Sequence, residues 1–385
     1  MKKISITFII VTLLLSIILT RCQRELTNVK SLEMSTELAS LYEQMPDVSY
    51  KDVESIYNGE ILRFESEDAY MNVYETLLER YEGWIQLFLS YYNGCTEEQL
   101  ELLADSLEFD DNTPLREFEN ILDFHNNLRN VCENRTKRWA SDGLYTIPPI
   151  DSIINCPIEQ TLFSIYHEIC IADTIFQLRE DHSILQIPIY ELKNLSHIRT
   201  ISNIDSLLEI YPSIKIYKGS NSGCYYNYWF RQSSRMDPNN SNKMFSWSFL
   251  YRKAIFGHKY KTKITMTNYK LAKGKWKKNL IRSGVESYTK QYKYVYSDSS
   301  CTYYTGDYIW MDLVYSKKSW SKSKKTLPVN YIDDTSFSIN GWYPYKIELE
   351  EIRIDPSESY FRCNYNDIIF TYNLMTLEET IENPN

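Results

Sequence analysis

Apolar positions follow three successive regimes along the chain. From Ile4 to Leu19 they form one run, interrupted only by Ser5, Thr7, Thr12 and Ser16. From Ser66 they recur at helical spacing: Tyr70, Val73, Tyr74, Leu77, Leu78, Tyr81, Trp84, Ile85, Phe88 and Leu89 predict one long helix with Ser66 as its cap. Asn93-Gly94 ends it. Thr96 and Gln99 have the spacing of a capping box and open a second helix through Leu103. Thr113-Pro114 opens a third, with Leu115, Phe118, Ile121, Leu122, Leu128 and Val131 on one broad face.

After "YTIPPI" the character changes. A short helix (Glu159 to His167) leads into "EICIADTIFQL", where Ala172-Asp173 reads as a hairpin turn between β-branched runs. From about Tyr225 the period becomes two. Tyr260, Thr262, Ile264 and Met266 share one face of a strand, and Lys259, Lys261, Lys263 and Thr265 the other. Ile309, Met311, Leu313 and Tyr315 alternate with Tyr308, Trp310, Asp312 and Val314. Ile347 and Leu349 are out of phase with Ile352 and Ile354, which places a bulge or turn at Glu350-Glu351. Ile368, Phe370, Tyr372 and Leu374 line a last strand.

The expected fold class is α+β, a helical N-terminal region followed by an antiparallel, β-rich sandwich or barrel-like C-terminal domain. The division reads as a signal over 1–22, a polar tether over 23–50 with a short helix around Leu32 to Met45, a helical region over 51–145 that includes the strand-like "EILRF", a hairpin-bearing connector over 146–224, and the β domain over 225–385.

The first regime is an address. Lys2 and Lys3 precede an apolar run shorter than the about 20 residues a membrane-spanning helix needs. Leu19, Thr20 and Cys22 fit the box in which a bacterial lipoprotein signal ends, with Arg21 where a small residue belongs. The expectation is export with Cys22 lipidated and a membrane as partner. Plain cleavage and an uncleaved anchor are the alternatives.

Composition adds two things. Tyrosine is abundant, 33 of 385 residues, which suits sheets and wet binding faces. The net charge of −9 also hides a split: residues 251–330 hold 18 Lys/Arg against 4 Asp/Glu, a surplus of +14, and the rest carries −23. Within that basic stretch Lys259, Lys261 and Lys263 alternate along a strand. "KLAKGKWKK" sets Lys270, Lys273, Lys275, Lys277 and Lys278 around Trp276 in a hairpin, and "SKKSWSKSKK" sets Lys317, Lys318, Lys322, Lys324 and Lys325 around Trp320. Lysines with exposed aromatics suit an anionic polymer, charges tracking acidic groups while rings stack. For an exported chain that means an acidic polysaccharide or lipopolysaccharide, not nucleic acid. The competing reading is a solvated lysine face that discourages edge pairing.

Motifs of catalysis are missing: no G-x-S-x-G, H-E-x-x-H, Walker loop or G-x-G-x-x-G occurs, no two cysteines are spaced C-x-x-C, and no cofactor or metal is implied. His167 and Cys170 lie close in sequence, but Cys170 sits in an apolar strand pattern and reads as a buried thiol. The acidic clusters Asp110-Asp111 and Glu348 to Glu351 read as solvated faces.

"NGEILRFESEDAY", "PLREFENILDFHNNLRN" and "LFSIYHEICIADTIFQL", followed by "FLYRKAIFGHKYKTKITMTNYKLAKGKWKKNLI", are similar in order and spacing to segments of uncharacterised exported lipoproteins from Bacteroides-like bacteria. The likeness runs over much of the chain after Asn58. It departs at Asn126-Asn127, where those proteins have a serine, and at Ala172, where they favour glycine. The resemblance implies export, lipidation and a helical front with a β-rich back, and no activity. Three functions follow as expectations: a non-enzymatic envelope protein binding an acidic polymer, an envelope glycan hydrolase whose carboxylates meet only in the fold, and a structural component of a surface complex.

Overall fold

A computed structural model describes residues 31–382, apart from 143–146, 182, 218–227, 238, 254, 256–259, 280, 297–309, 322–324, 328–348, 366–367 and 374–378. Elements follow in the order α1 (Ser31–Tyr42), β1 (Val53–Ile56), β2 (Ile61–Phe64), α2 (Glu67–Tyr91), α3 (Glu97–Ser106), α4 (Thr113–Ile121), α5 (Leu128–Asp142), α6 (Pro157–Leu162), β3 (Glu168–Ile171), β4 (Thr174–Leu178), β5 (Ile184–Pro188), a 3-10 turn (Ile189–Asn194), α7 (Leu195–Ile198), α8 (Ile204–Ile210) and β6 (Lys215–Tyr217). Then come β7 (Tyr228–Asp237), β8 (Asn240–Lys253), β9 (Tyr260–Ala272), β10 (Lys275–Lys278), β11 (Ile281–Tyr296), β12 (Trp310–Ser321), β13 (Lys325–Leu327), β14 (Leu349–Tyr365), β15 (Ile368–Asn373) and β16 (Glu379–Glu382). The class is α+β, with helices concentrated before residue 211 and three open sheets among the described residues.

Ser66 caps α2 by accepting the amide of Ala69, and Thr96 and Gln99 form the expected reciprocal box at α3. The apolar stripe of α2 buries Tyr70, Leu77, Trp84 and Phe88 in one core with Phe64, Phe109, Phe118 and Phe124. Trp84 fixes the loop after α3 by donating to the carbonyl of Asp110 at 2.8 Å. The segment expected as a tether is docked from α1 onward. Tyr42 packs edge-on against Trp84, Tyr92 donates to Glu37 at 2.9 Å, and the Arg80 guanidinium pairs with Glu117 and donates to the carbonyl of Pro46.

The third predicted helix is two. Asp123 adopts a left-handed φ of 50° after α4, and the side chain of Asn127 then accepts the amide of Asn130 to cap α5. Leu128 and Val131 therefore belong to a new helix, not to the face of Phe118. Likewise the helix expected over Glu159 to His167 stops at Leu162, where Phe163 turns extended.

β1 to β6 form one sheet in sequence order, which joins strands from residues 53–64 to strands from residues 168–217. Only β2–β3 is parallel among its pairs, because the helices α2 to α6 lie between those two strands. Ala172-Asp173 is the hairpin turn between β3 and β4, with Ala172 at φ 51°. On the sheet's other side Ile61, Cys170, Ile175, Leu185 and Ile187 pack with Leu195, Ile198 and Leu207 into a second core.

The β-rich half contains two sheets. One runs β10-β9-β8-β7, and the other β12-β11-β14-β15-β16. They meet where Trp247 of β8 packs on Tyr372 of β15, ring centroids 4.9 Å apart. The opposite face of β8 and β9 carries Ser246, Ser248, Thr265 and Thr267, which alternation would send to solvent. All four are buried under the helical half, where the Asn155 side chain donates to Ser248 at 3.1 Å. The face predicted as wet for Lys259 to Thr265 is thus covered from Thr265 on. The irregularity of β14 also differs from expectation. Glu350 and Glu351 pair regularly with Val295 and Tyr294, and the register slips between the Tyr288–Tyr360 and Lys290–Asp355 pairs. The slip falls at Pro356, which cannot donate to a ladder. β15 is followed by β16 and so is not the last strand.

Candidate functional site

The β9–β10 hairpin turns through Lys273-Gly274, both left-handed at φ 52° and 75°, the geometry that matches strand twist in a two-residue turn. Trp276 does not present its ring. It is 2% exposed and packs on Trp139 of α5, Met244 and Tyr269, so its role in stacking on a polymer is corrected to that of an anchor. The reason is local alternation: Trp276 faces the helical half, whereas its neighbours Lys275 and Lys277 point away and are exposed. Lys273 at the turn is also exposed, and Lys278 is half-buried.

Lys270, one of the lysines of "KLAKGKWKK", lies beside Lys243, which carries no signal in the sequence. Lys243 and Lys270 are direct cross-strand partners, an unfavourable pairing of like charges. Glu101 of α3 resolves it, accepting from Lys243 at 2.8 Å and from Lys270 at 3.1 Å, while Asp105 pairs with Lys270 at 2.6 Å. Burial opposes the Glu101 charge, but the two ammonium groups outweigh it and hold the carboxyl below its usual range. This pair is neutralised internally. Among the described residues, Lys273, Lys275 and Lys277 have no acidic partner.

Of the other predicted positions, Cys22, Lys259, Lys322 and Lys324 lie outside the described residues. Lys261 and Lys263 occupy β9 opposite Arg252 and Leu250. Lys317, Lys318 and Trp320 occupy β12 opposite Val285, Gly284 and Arg282, in the second sheet. The topology still brings the two basic segments toward one border. β10 pairs with residues 269–272 of β9, and β13, which follows β12, pairs with residues 264–266 along the same edge of that strand.

The candidate reactive groups resolve into structural roles. Cys170 faces the second core, and burial pushes its thiol up to about 11. His167 turns instead to Asp151, its Nε2 lying 3.1 Å from Oδ2. Burial works against the Asp151 charge, yet His167 and the amides of Ile153 and Ile154 prevail and keep the carboxyl below its ordinary value. Asp111, expected on a solvated face, is buried beneath α2 and accepts from Tyr81 at 3.1 Å.

One constellation gave no signal in the sequence. Arg199, just after α7, donates from Nε and Nη2 to the two oxygens of Glu168 at 3.0 and 2.6 Å and from Nη1 to Glu60 at 2.8 Å. Its guanidinium lies 3.9 Å from the ring centroid of Tyr166 and 5.3 Å from that of Tyr57. Burial lifts the proton affinity of Glu168 above the usual carboxylate value even against this partner. The three contributing segments, 57–60, 166–168 and Arg199, are far apart in the chain, which is why periodicity cannot reveal them.

No family model and no curated protein matches the chain. Among solved structures it is similar to a DUF4848 family protein from Bacteroides thetaiotaomicron, at 9% identity, over 86% of this chain and 98% of that one, with a TM-score of 0.16. A score that low carries no argument about fold or activity. Among the described residues no group of His, Cys, Asp and Glu could hold a metal ion, and no helix is long and apolar enough to cross a membrane.

Proposed function

We propose that this is an exported, lipid-anchored envelope protein that binds an acidic polysaccharide without chemically altering it, using the β9–β10 hairpin as a cationic prong. The observation that carries the reading is the contrast along one hairpin. Lys243 and Lys270 are consumed by Glu101 and Asp105, while Lys273 and Lys275 toward the turn, and Lys277 directly across from Lys270, are exposed and have no acidic partner among the described residues. Lys275 and Lys277, two residues apart in a strand, stand about 7 Å from each other, a spacing that lets both follow one charged chain. The hairpin is pre-shaped by its left-handed turn and by the buried Trp276, so little order is lost on binding. The reading relies on charge and shape alone, since the Trp276 ring is turned inward.

Retention of the protein on immobilised polygalacturonate tests the binding half. Replacing Lys273, Lys275 and Lys277 together with Gln is expected to abolish retention and leave the melting temperature unchanged. Undiminished retention of that variant contradicts the assignment. Metabolic labelling with a radioactive fatty acid tests the anchor: label on the wild type and none on Cys22→Ser supports it, and equal label on both rejects it.

A further inference from the structure

We infer that the surface around Tyr166 is a second ligand site, built to take an uncharged sugar ring. Its floor is Arg199, held in place by three of its five N–H groups donating to Glu168 and Glu60, so the guanidinium serves as a fixed support. One face of the Tyr166 ring rests on that floor at 3.9 Å, and the residue remains 45% exposed, which leaves the other face to solvent. Glu60 stands on the same guanidinium through Oε2, its side chain is 32% exposed, and among the described residues Oε1 has no hydrogen-bond partner.

Two strained turns converge on this point. Tyr57 and Asn58 both adopt left-handed φ, 54° and 56°, ahead of Gly59 at 80°, and His167 adopts φ 58° directly after Tyr166. A left-handed conformation costs an L-residue roughly 1–2 kcal/mol, and a tyrosine has no short polar side chain to offset it. The first turn sets Tyr57 against Arg199 and Glu60 upon it. The second aims Tyr166 outward while Glu168 turns in. Strain concentrated on both walls of an exposed aromatic is a mark of a functional surface.

The chemistry of the ligand follows from charge. One guanidinium with two carboxylates leaves the site at about −1, which repels the anionic polymer assigned to the hairpin. The inner face of Tyr166 already serves a cation, which draws on its π density and makes the outer face a poor seat for a second. A fixed, flat, half-apolar surface beside an acceptor suits a pyranose, whose C–H face packs on the ring while a hydroxyl donates to Glu60.

Titration of the full chain with uncharged cello-, malto-, xylo- and laminari-hexaose tests this. At least one is expected to bind, with affinity unchanged by 0.5 M salt and unchanged in the Lys273, Lys275, Lys277 triple Gln variant, so that this site and the hairpin stand or fall separately. Tyr166→Ala is expected to weaken binding about tenfold or more, and Tyr166→Phe by less than about twofold. Glu60→Gln, which keeps an acceptor on the guanidinium, is expected to weaken it about fivefold and serves if Tyr166→Ala does not fold. Absence of binding by all four sugars at millimolar concentration overturns the inference, as does affinity indifferent to both Tyr166→Ala and Glu60→Gln.

Discussion

Trp276→Ala separates an anchoring indole from a stacking one. Trp276 lies in a pocket of Trp139, Met244 and Tyr269, the first and last of these in edge contact with centroids 5.2 Å apart. An indole of this kind buries roughly 200 Å², about 5 kcal/mol at 25 cal/mol per Å², and aromatic truncations in cores cost about 3–5 kcal/mol. The loss falls first on the local opening of the hairpin, because the indole is what holds β10 and the end of β9 against α5. At about 1.4 kcal/mol per factor of ten, hydrogen exchange of the amides of residues 270–278 is expected to accelerate by about 10²- to 4 × 10³-fold. Trp276→Phe, which refills most of the space, is expected to recover most of that protection. If Trp276→Ala leaves exchange unchanged but weakens polygalacturonate binding, the ring is a contact surface and the anchoring account is wrong.

Other consequences are readily measured. Cys170, with its thiol raised to about 11 by burial, is expected to resist an aromatic disulfide reagent at pH 8 in the folded chain and to react only as the protein unfolds. Asp151 has a native proton affinity below its ordinary value of 3.8, so the unfolded state binds more protons; its contribution is complete above that pH and disappears as pH falls through the native value. Stability of Asp151→Asn is therefore expected to fall less steeply below about pH 4 than that of the wild type, and identical slopes refute the pairing with His167. Glu168→Ala leaves Arg199 with one partner and is expected to lower stability by about 3–5 kcal/mol in urea titrations, whereas a loss under 1 kcal/mol shows the pair to be solvated.

The helical front was legible because its signals are local. Ser66, the Thr96–Gln99 box and the spacing from Tyr70 to Phe88 each act within a turn or two of helix, and the structure places them as read. The break between α4 and α5 was missed although Asp123 and Asn127 were there to announce it, because Leu128 continued the apolar spacing by coincidence. Alternation marks β9 as a strand and "KLAKGKWKK" reads as the hairpin that β9 and β10 form, but alternation reveals only which residues share a face, never what covers that face. Thr265 and Thr267 look solvated by type and lie under the helical half, and Trp276 looks like an exposed ring among lysines and lies inside. The Arg199 cluster was invisible for a different reason. Its members, Glu60, Tyr166, Glu168 and Arg199, meet through the parallel β2–β3 pairing and the long helical connection between β5 and β6, two junctions in that sheet which no hairpin turn prefigures.

The most direct test of the central claim is the salt dependence of polygalacturonate binding. If Lys273, Lys275 and Lys277 are the contact, the logarithm of affinity should fall linearly with the logarithm of salt concentration, and the triple Gln variant should show neither affinity nor slope. A binding constant indifferent to salt, or a slope that survives loss of these three charges, contradicts it.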